Sequence, residues 1–510
     1  MQLPIPSPED YDISLSTGFV PSTLPLARIP DPYYSPWEAV ASNVHFLIMA
    51  RQIRPVVDSP AFPLLSVDRL RSTPERRRAY SILGFIAHAY IWAGPSACDH
   101  LPPQLAEPLI ALADALEVPP LATYAGLCLW NHRPIFLPTP DHPHDPASLD
   151  LSSLATLHTF TGSTDESWFF LVSTVIEIRG AACIRYLLAA MRACRDDSPH
   201  DAVVALQLLA ESIDSLIPIL ARLPEQCDPH TFYYRVRPFL AGSRNMAEAG
   251  LPHGVKYGNE PGYRQYSGGS NAQSSLIQAL DIALGVQHRP TSDASSSPSS
   301  RSQSPTSAAP PSNNFIHDMR AYMPGPHRRF LEHLELCANI KDYVHAHKQS
   351  NSALTLAYDA CLAVLRAFRD KHIQIVSRYI IVQAKSQPSA SAKQLQLKQQ
   401  QLQHQHQHQQ QHQQTNKSGL ANVILTEKKA ARGTGGTALL PFLKQARDET
   451  GAPAAGSWAA RLLRDDAFVV RRKMRDAMGL GEHLVDEGDK VVGLAGQWSV
   501  DDETGGICHW

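Results

Sequence analysis

The chain has 510 residues, with 46 Lys and Arg against 48 Asp and Glu and a formal charge of −2. So balanced a chain sets up no overall field to recruit nucleic acid or an anionic membrane. Its apolar fraction of 43% suffices for a large core, and no run of about 18 uninterrupted apolar residues announces a membrane span.

The opening MQLPIPSPEDYDIS lacks the basic and apolar regions of a signal peptide, so a cytoplasmic location is expected. The eight cysteines (Cys98, Cys128, Cys183, Cys194, Cys227, Cys337, Cys361 and Cys508) form no C-x-x-C or C-x-x-C-H motif. That excludes the usual zinc ribbons and covalent c-type cofactor attachment.

From Pro36 onward helical patterns dominate and strand signals are sparse. PWEAVASNVHFLIMARQI, RRAYSILGFIAHAYIWA and PQLAEPLIALADALEV read as helices of a small N-terminal domain, residues 1–146. The Pro-rich stretch Phe136–Pro146 reads as a linker. A larger domain follows over 147–450, with helices predicted at Trp168–Cys194, Ala202–Arg222, Ala272–Val286, Pro326–Lys348 and Ala357–Ala384. The first of these is apolar nearly all round and should be central. Two segments interrupt this domain. Residues 287–314 are Ser/Pro-rich and are expected to be disordered. Residues 385–418 are Gln/His-rich, with His404, His406, His408 and His412 as weak metal ligands at most, and read as a solvated linker. Residues 451–510 form an extension of unknown role, with an amphipathic pattern over Ser457–Leu480. The expected class is all-α, in two domains.

His372 lies in the middle of the apolar helix Ala357–Ala384, and Leu365, Phe368, Arg369, Val376 and Tyr379 share its face on a 3.6-residue period. Such an imidazole is either a core histidine bonded to a carbonyl or an axial ligand to haem iron. Gly268-Gly269-Ser270, with Gln273 three residues on, has a capping-box pattern at a helix start, whose free amides suit an anion. Asp281, alone on an apolar helix, requires a cation or strong donor. Ser173 shares a face with Phe169, Phe170 and Ile176, and a serine so placed usually bonds back to the carbonyl four residues earlier. Arg237 can grip a carboxylate through two parallel bonds. Arg235 would share its face if the segment were extended. Gly433-Thr-Gly-Gly-Thr437 with Ala438 fits G-x-G-x-x-A, but a charged run (TEKKAAR) precedes it, no following strand is evident and Pro441 soon interrupts, which argues against a dinucleotide site.

Six blocks occur in one order: WFFLVSTVIEI (Trp168–Ile178), TFYYRVRPFLAG (Thr231–Gly242), YSGGSNAQSSLIQALDIALGV (Tyr266–Val286), FIHDMRAYMPGPHRRFLEHLE from Phe315, AYDAC…FRDKHIQIVSRYI from Ala357 and GTGGTALLPFLKQAR from Gly433. With YYSPWEAV and PPLATYAG they make the chain resemble the indoleamine 2,3-dioxygenase family from about residue 10 to about residue 450. The resemblance implies a two-domain, all-α haem dioxygenase holding haem b (heme b, Fe2+ in the active form) without covalent attachment. His372 would be the iron ligand, with Gly269, Ser270, Asn271, Arg369 and Val376 around the cofactor and Arg369 paired to Asp281. Ser173 would lie on the opposite, distal side, near O2 and the indole nitrogen. Phe169 and Phe232 would contact the indole, and Arg237 the substrate carboxylate. Thr434 would bond the carboxylate or ammonium from a closing loop. Tyr124 and Cys128 would line the pocket from the small domain.

The implied reaction cleaves the indole C2–C3 bond of L-tryptophan with both atoms of O2. It gives N-formyl-L-kynurenine, the first step of the kynurenine pathway, with a reductant of unidentified nature and a monomeric enzyme. Departures from the family pattern are Asn271, where Ala is frequent, and Tyr233 and Tyr234, where Phe and a smaller residue are expected. Tyr233 would narrow or re-polarise the pocket. The alternatives are an O2-binding haem carrier or sensor with little turnover, and an interaction protein working through its Gln/His tract. Arg237, Ser173 and Thr434 favour the enzyme, since a carrier has no need to clamp an amino acid.

Overall fold

In a computed structural model the described residues are 3–136, 149–289, 315–385 and 439–463, together with the backbone of a hairpin at 490–493 and 496–499. The Gln/His tract beyond Lys385, Thr434 and residues 464–489 lie outside them.

Helix α1 (Thr73–Trp92) starts at a reciprocal cap. Ser72 Oγ accepts from the Glu75 N–H, and the Glu75 carboxylate turns back to Ser72 Oγ and the Arg71 N–H. Helix α2 (Pro103–Leu116) packs on α1. Short strands stitch distant parts of the chain together: β1 (His100–Leu101), β2 (His132–Pro134), β3 (Leu154–Thr156), β4 (Val255–Tyr257) and β5 (Tyr263–Arg264). β4 lies between β1, to which it is parallel with His100 opposite Lys256, and β5, to which it is antiparallel with Val255 opposite Arg264. β2 and β3 pair antiparallel.

Helix α3 (Thr164–Arg195) contains the predicted Trp168–Cys194 and is buried along most of its length. Ser163 caps its first turn, while the Glu166 carboxylate accepts the Phe160 and Thr161 N–H groups at 2.7 Å each. Helix α4 (Pro199–Asp214) packs against α3. The helix predicted over Ala202–Arg222 breaks at Ser215, because Pro218 has no N–H for the Asp214 carbonyl. Helix α5 (Ser275–Ala283) crosses α3 at Gly180, where a Cβ would stand 2.2 Å from a Leu276 methyl.

The helix predicted over Pro326–Lys348 is two: α6 (Gly325–Cys337) and α7 (Ile340–His347). Ala338 between them is extended, and the Asn339 side chain donates to the Met191 carbonyl of α3. Helix α8 (Ser352–Val376) carries His372 and packs on α4. Asn351 caps it, and it continues through a π-turn at Ser377–Ile381. Helices α9 (Leu439–Thr450) and α10 (Ser457–Leu463) close on α8. The Asp359 carboxylate of α8 accepts the Ala455 and Gly456 N–H groups just before α10.

Two expectations need correction. The segment expected to be disordered begins at Gln287, yet 287–289 are placed and the His288 side chain is buried, held by carboxylates from two helices. Residues 290–314 lie outside the described set. Counting only uninterrupted apolar runs also misses two stretches that reach membrane-span length and apolarity, Thr164–Arg195 (mean hydropathy 1.4) and Pro199–Gln226 (1.7). The first is buried in the protein, and the second is broken into short helices packed on α3. One cluster of buried apolar side chains runs from Ile13 to Leu463 and surrounds the site.

Candidate functional site

A cavity of about 260 Å³ opens between α3, α5, α8 and α9, far beyond the roughly 10–15 Å³ that holds a single water. Three π-turns border it: Ala125–Leu129, Phe232–Val236 and Ser377–Ile381. Such turns widen a helix by one residue and cluster at functional sites. Here they present Leu127 and Cys128, Phe232, and Tyr379 and Ile380 to the cavity.

One wall is α8, with Phe368, Arg369, His372, Ile373 and Val376. Neither ring nitrogen of His372 has a hydrogen-bond partner among the described residues, so it is not a core histidine tied to a carbonyl. Burial, and then the nearby Arg369 guanidinium, push the His372 pKa down to about 4. At neutral pH the ring is uncharged and carries a lone pair.

A second wall is α3, with Phe169, Phe170, Ser173 and Ile176. Ser173 does not make the expected back-bond; its neighbour Thr174 does, to the Phe170 carbonyl at 3.0 Å. The Ser173 hydroxyl lines the cavity together with Tyr124 and Cys128. Phe169 and Phe232 pack together with ring centroids 4.6 Å apart.

Behind this wall sits Glu177, one turn beyond Ser173. Its Oε1 accepts from Tyr124 Oη at 3.0 Å and Ser274 Oγ at 2.6 Å, while Oε2 is buried without a partner among the described residues. Burial pushes Glu177 up to about 7. Burial, and then Glu177, drive the Tyr124 phenol far above its ordinary value, and Cys128 rises for the same reasons. Sequence reasoning does not find Glu177, although a single carboxylate in an otherwise apolar run is the available signal.

The Gly-Gly-Ser turn reaches the cavity through Gly269, Ser270 and Asn271. It is not the cap of α5, contrary to the pattern. Ser270 Oγ accepts from the Ala272 N–H of a short 3-10 turn, and α5 is capped by Ser274. Gln273 donates to the Gly268 carbonyl and accepts the Tyr124 N–H, both at 2.9 Å, and so fastens the turn to Tyr124. Gly268 and Gly242 touch backbone to backbone; a Cβ on Gly268 would stand 2.1 Å from the Leu240 carbonyl. That close approach sets the turn against the segment bearing Arg237.

Arg235 and Arg237 do not share a face, because their segment is a π-turn followed by a 3-10 turn rather than a strand. Arg235 is exposed. Arg237 is buried and lines the cavity, its guanidinium 5.2 Å from the centre of the Tyr233 ring. Tyr233 therefore acts from beneath Arg237 and is not among the cavity-lining residues, contrary to expectation. Burial lowers the Arg237 pKa, though not enough to discharge a guanidinium.

Asp281 of α5 and Arg369 of α8 form the expected pair, with Arg369 Nη2 donating to both carboxylate oxygens at 2.6 and 2.7 Å. Burial opposes ionisation of Asp281, but Arg369 and His288 outweigh it and hold the carboxyl below its ordinary value. Helix α9, not expected as a wall, contributes Leu439, Phe442, Leu443 and Ala446. Thus Tyr124, Phe169, Ser173, Phe232, Arg237, Gly269, Ser270, Asn271, Arg369, His372 and Val376 all meet at one cavity, and Thr434 lies outside the described residues.

The sequence profile of the indoleamine 2,3-dioxygenase family matches residues 7–453. The indoleamine 2,3-dioxygenase of Saccharomyces cerevisiae is 43% identical over 456 residues, which is 88% of this chain and 94% of that protein. The indoleamine 2,3-dioxygenase of Aspergillus nanangensis is 35% identical, over 87% of this chain and 96% of its own. A 6-hydroxytryptophan 2,3-dioxygenase of Fusarium equiseti is 34% identical, over 86% and 96%.

Proposed function

The chain belongs to the indoleamine 2,3-dioxygenase family, and from that premise we propose that it opens the indole C2–C3 bond of L-tryptophan with both atoms of O2, giving N-formyl-L-kynurenine. The observation that carries this is the pairing of two features on one apolar cavity, an uncharged His372 with no hydrogen-bond partner among the described residues and a buried Arg237. A carrier or sensor of O2 would use the first and have no use for the second.

The residues fit haem b. His372 would offer a ring lone pair to iron, the apolar neighbours Phe368 and Val376 suit a porphyrin face, and Ser270 and Arg369 could donate to polar edge groups. When bound, ferrous haem supplies the activation of O2. The protein's part is positioning and exclusion of water. Phe169 and Phe232 form an aromatic wall for the indole, and Arg237 fixes the substrate carboxylate by a charged, bidentate interaction. Ser173 offers one hydroxyl on the distal side, where no histidine or ionised carboxylate lines the wall among the described residues. Thr434 would complete the grip on the amino-acid end.

In this reading the small N-terminal domain (1–146) covers the distal side through Tyr124 and Cys128, and the larger domain (147–450) holds cofactor and substrate. The enzyme works as a monomer in the cytoplasm, a reducing setting supported by seven free cysteines among the described residues. The test is purification from cells supplied with haemin, then assay for formylkynurenine with ascorbate and a redox dye. A Soret band that shifts on adding tryptophan, together with product, is expected. A colourless protein overturns the cofactor assignment, and a coloured one that forms no product returns the case to a carrier.

A further inference from the structure

His288 sits between two carboxylates from different helices. Its Nε2 lies 3.0 Å from Asp281 Oδ2 on α5, and its Nδ1 lies 2.9 Å from Glu449 Oε2 on α9. Ionised carboxylates only accept, so both ring nitrogens must donate, which a neutral imidazole cannot do. The same carboxylates are tied further: Asp281 to Arg369 of α8, and Glu449 to the Arg289 N–H and the Gln445 amide. Arg369 also donates to Thr450 at the end of α9. The cluster thus carries two positive and two negative charges, with all four side chains at most 14% exposed. Removing the His288 proton would leave a nitrogen lone pair facing a carboxylate in a poorly solvated site.

We propose that His288, as an imidazolium, is a positioning residue that latches α9 onto α5 and α8, so that its protonation keeps α9 seated as a wall of the cavity. This rests on the proposed function only for its effect on tryptophan. Phe442 of α9 packs edge-on against Phe315 at 5.0 Å and lines the cavity with Leu443 and Ala446. Unseating α9 would therefore open the pocket. Other charged groups share the crevice beside His288: His317, Arg320, Glu335, Lys341 and Asp342. Arg320 is engaged with Glu335.

Burial disfavours the His288 cation, but Asp281 and Glu449 outweigh it and raise the pKa to about 8, from an ordinary 6.5. The latch is then complete below about pH 6.5 and is lost as pH rises through about 8. That gap corresponds to about a thirty-fold change in the opening equilibrium.

The test is amide hydrogen exchange of the haem-loaded protein across Leu439–Thr450, corrected for intrinsic rates, at about pH 6.5 and about pH 9.5. We expect opening to rise about thirty-fold in the wild type and to change little with pH in His288→Gln. In Glu449→Gln the side-chain amide no longer demands a charged partner, so the midpoint should fall and the step shrink. That variant carries the test if His288→Gln does not fold. His317→Gln should keep the wild-type step. A wild type without a step, or a step that survives both the His288 and Glu449 changes, overturns the proposal. Exchange reads α9 whether or not tryptophan turns over, so a step without product would sink the proposed reaction and leave the latch standing. With product, KM for tryptophan should rise over the same pH range while kcat moves less.

Discussion

Arg237→Ala is the most decisive single change. The guanidinium is buried in the cavity lining and lies over the Tyr233 ring, so its charge would meet a substrate carboxylate in a poorly screened setting. Removing a charged, bidentate interaction from such a setting costs on the order of 2–4 kcal/mol. At about 1.36 kcal/mol per decade, kcat/KM for tryptophan should fall roughly 30- to 900-fold. Most of the effect should appear in KM, since the carboxylate is held alike before and during reaction. Arg237→Lys keeps a point charge without the fork and should fall between. Arg235→Ala touches an exposed side chain and should cost at most about 0.5 kcal/mol. The assay is initial-rate formation of formylkynurenine, with haem content and Tm measured alongside, because the alanine also removes packing on Tyr233. Tryptamine, which lacks the carboxylate, closes a double-mutant cycle. The wild type should prefer tryptophan strongly over tryptamine, and Arg237→Ala should abolish that preference. If the variant discriminates the two as well as the wild type does, Arg237 does not bind the carboxylate.

His372→Gly should purify without a stable Soret band, and added imidazole should restore one; a normal spectrum without imidazole means another side chain holds the iron. Arg369→Ala leaves the buried Asp281 carboxylate without its main partner and should cost about 3–5 kcal/mol, read as a lower urea midpoint at unchanged slope. Deleting 385–418 should leave haem content and turnover near wild type; loss of both would make the tract more than a linker. For Glu177, burial lifts the carboxyl to about 7 from 4.5. A raised acid stabilises the fold below its unfolded value and stops doing so as pH climbs through about 7, a change on the order of 3 kcal/mol. Glu177→Gln lacks that titration, so its Tm should gain on the wild type between about pH 4.5 and 7. Parallel curves would show that Glu177 does not titrate there.

The parts of the site that are legible in the sequence are those fixed by local periodicity. His372, Arg369 and Val376 fall on one helical face whatever the rest of the chain does, and the apolar stretch before Glu177 marks a central helix wherever it packs. What escapes such reading depends on backbone detail or on distant pairing. Ser270 and Gln273 match a cap, but Ser274, bonded to Glu177, takes the helix start. Arg235 and Arg237 look equivalent because a π-turn followed by a 3-10 turn leaves no periodic signature. His288 falls inside a Ser/Pro-rich window whose composition hides it, and its partners lie 7 and 161 residues away.

The distribution of charge across the cavity explains why the α3 wall presents a hydroxyl and, among the described residues, no imidazole. Tyr124, Cys128 and Glu177 are pushed toward their uncharged forms chiefly by burial: Tyr124 and Cys128 upward, with Glu177 adding to the rise, and Glu177 itself to about 7. Among the described lining residues, permanent charge is confined to Arg237 and the Asp281–Arg369 pair. A cation or carboxylate moved to the middle would have to be desolvated without a partner, at a cost of several kcal/mol. It would also compete with the indole for the aromatic wall. Such a wall suits a reaction whose electron flow is supplied by a cofactor and whose substrate needs to be held still. Placing His at position 173 should therefore cost turnover rather than add a base, and a Ser173→His variant faster than wild type would show that proton removal limits the rate.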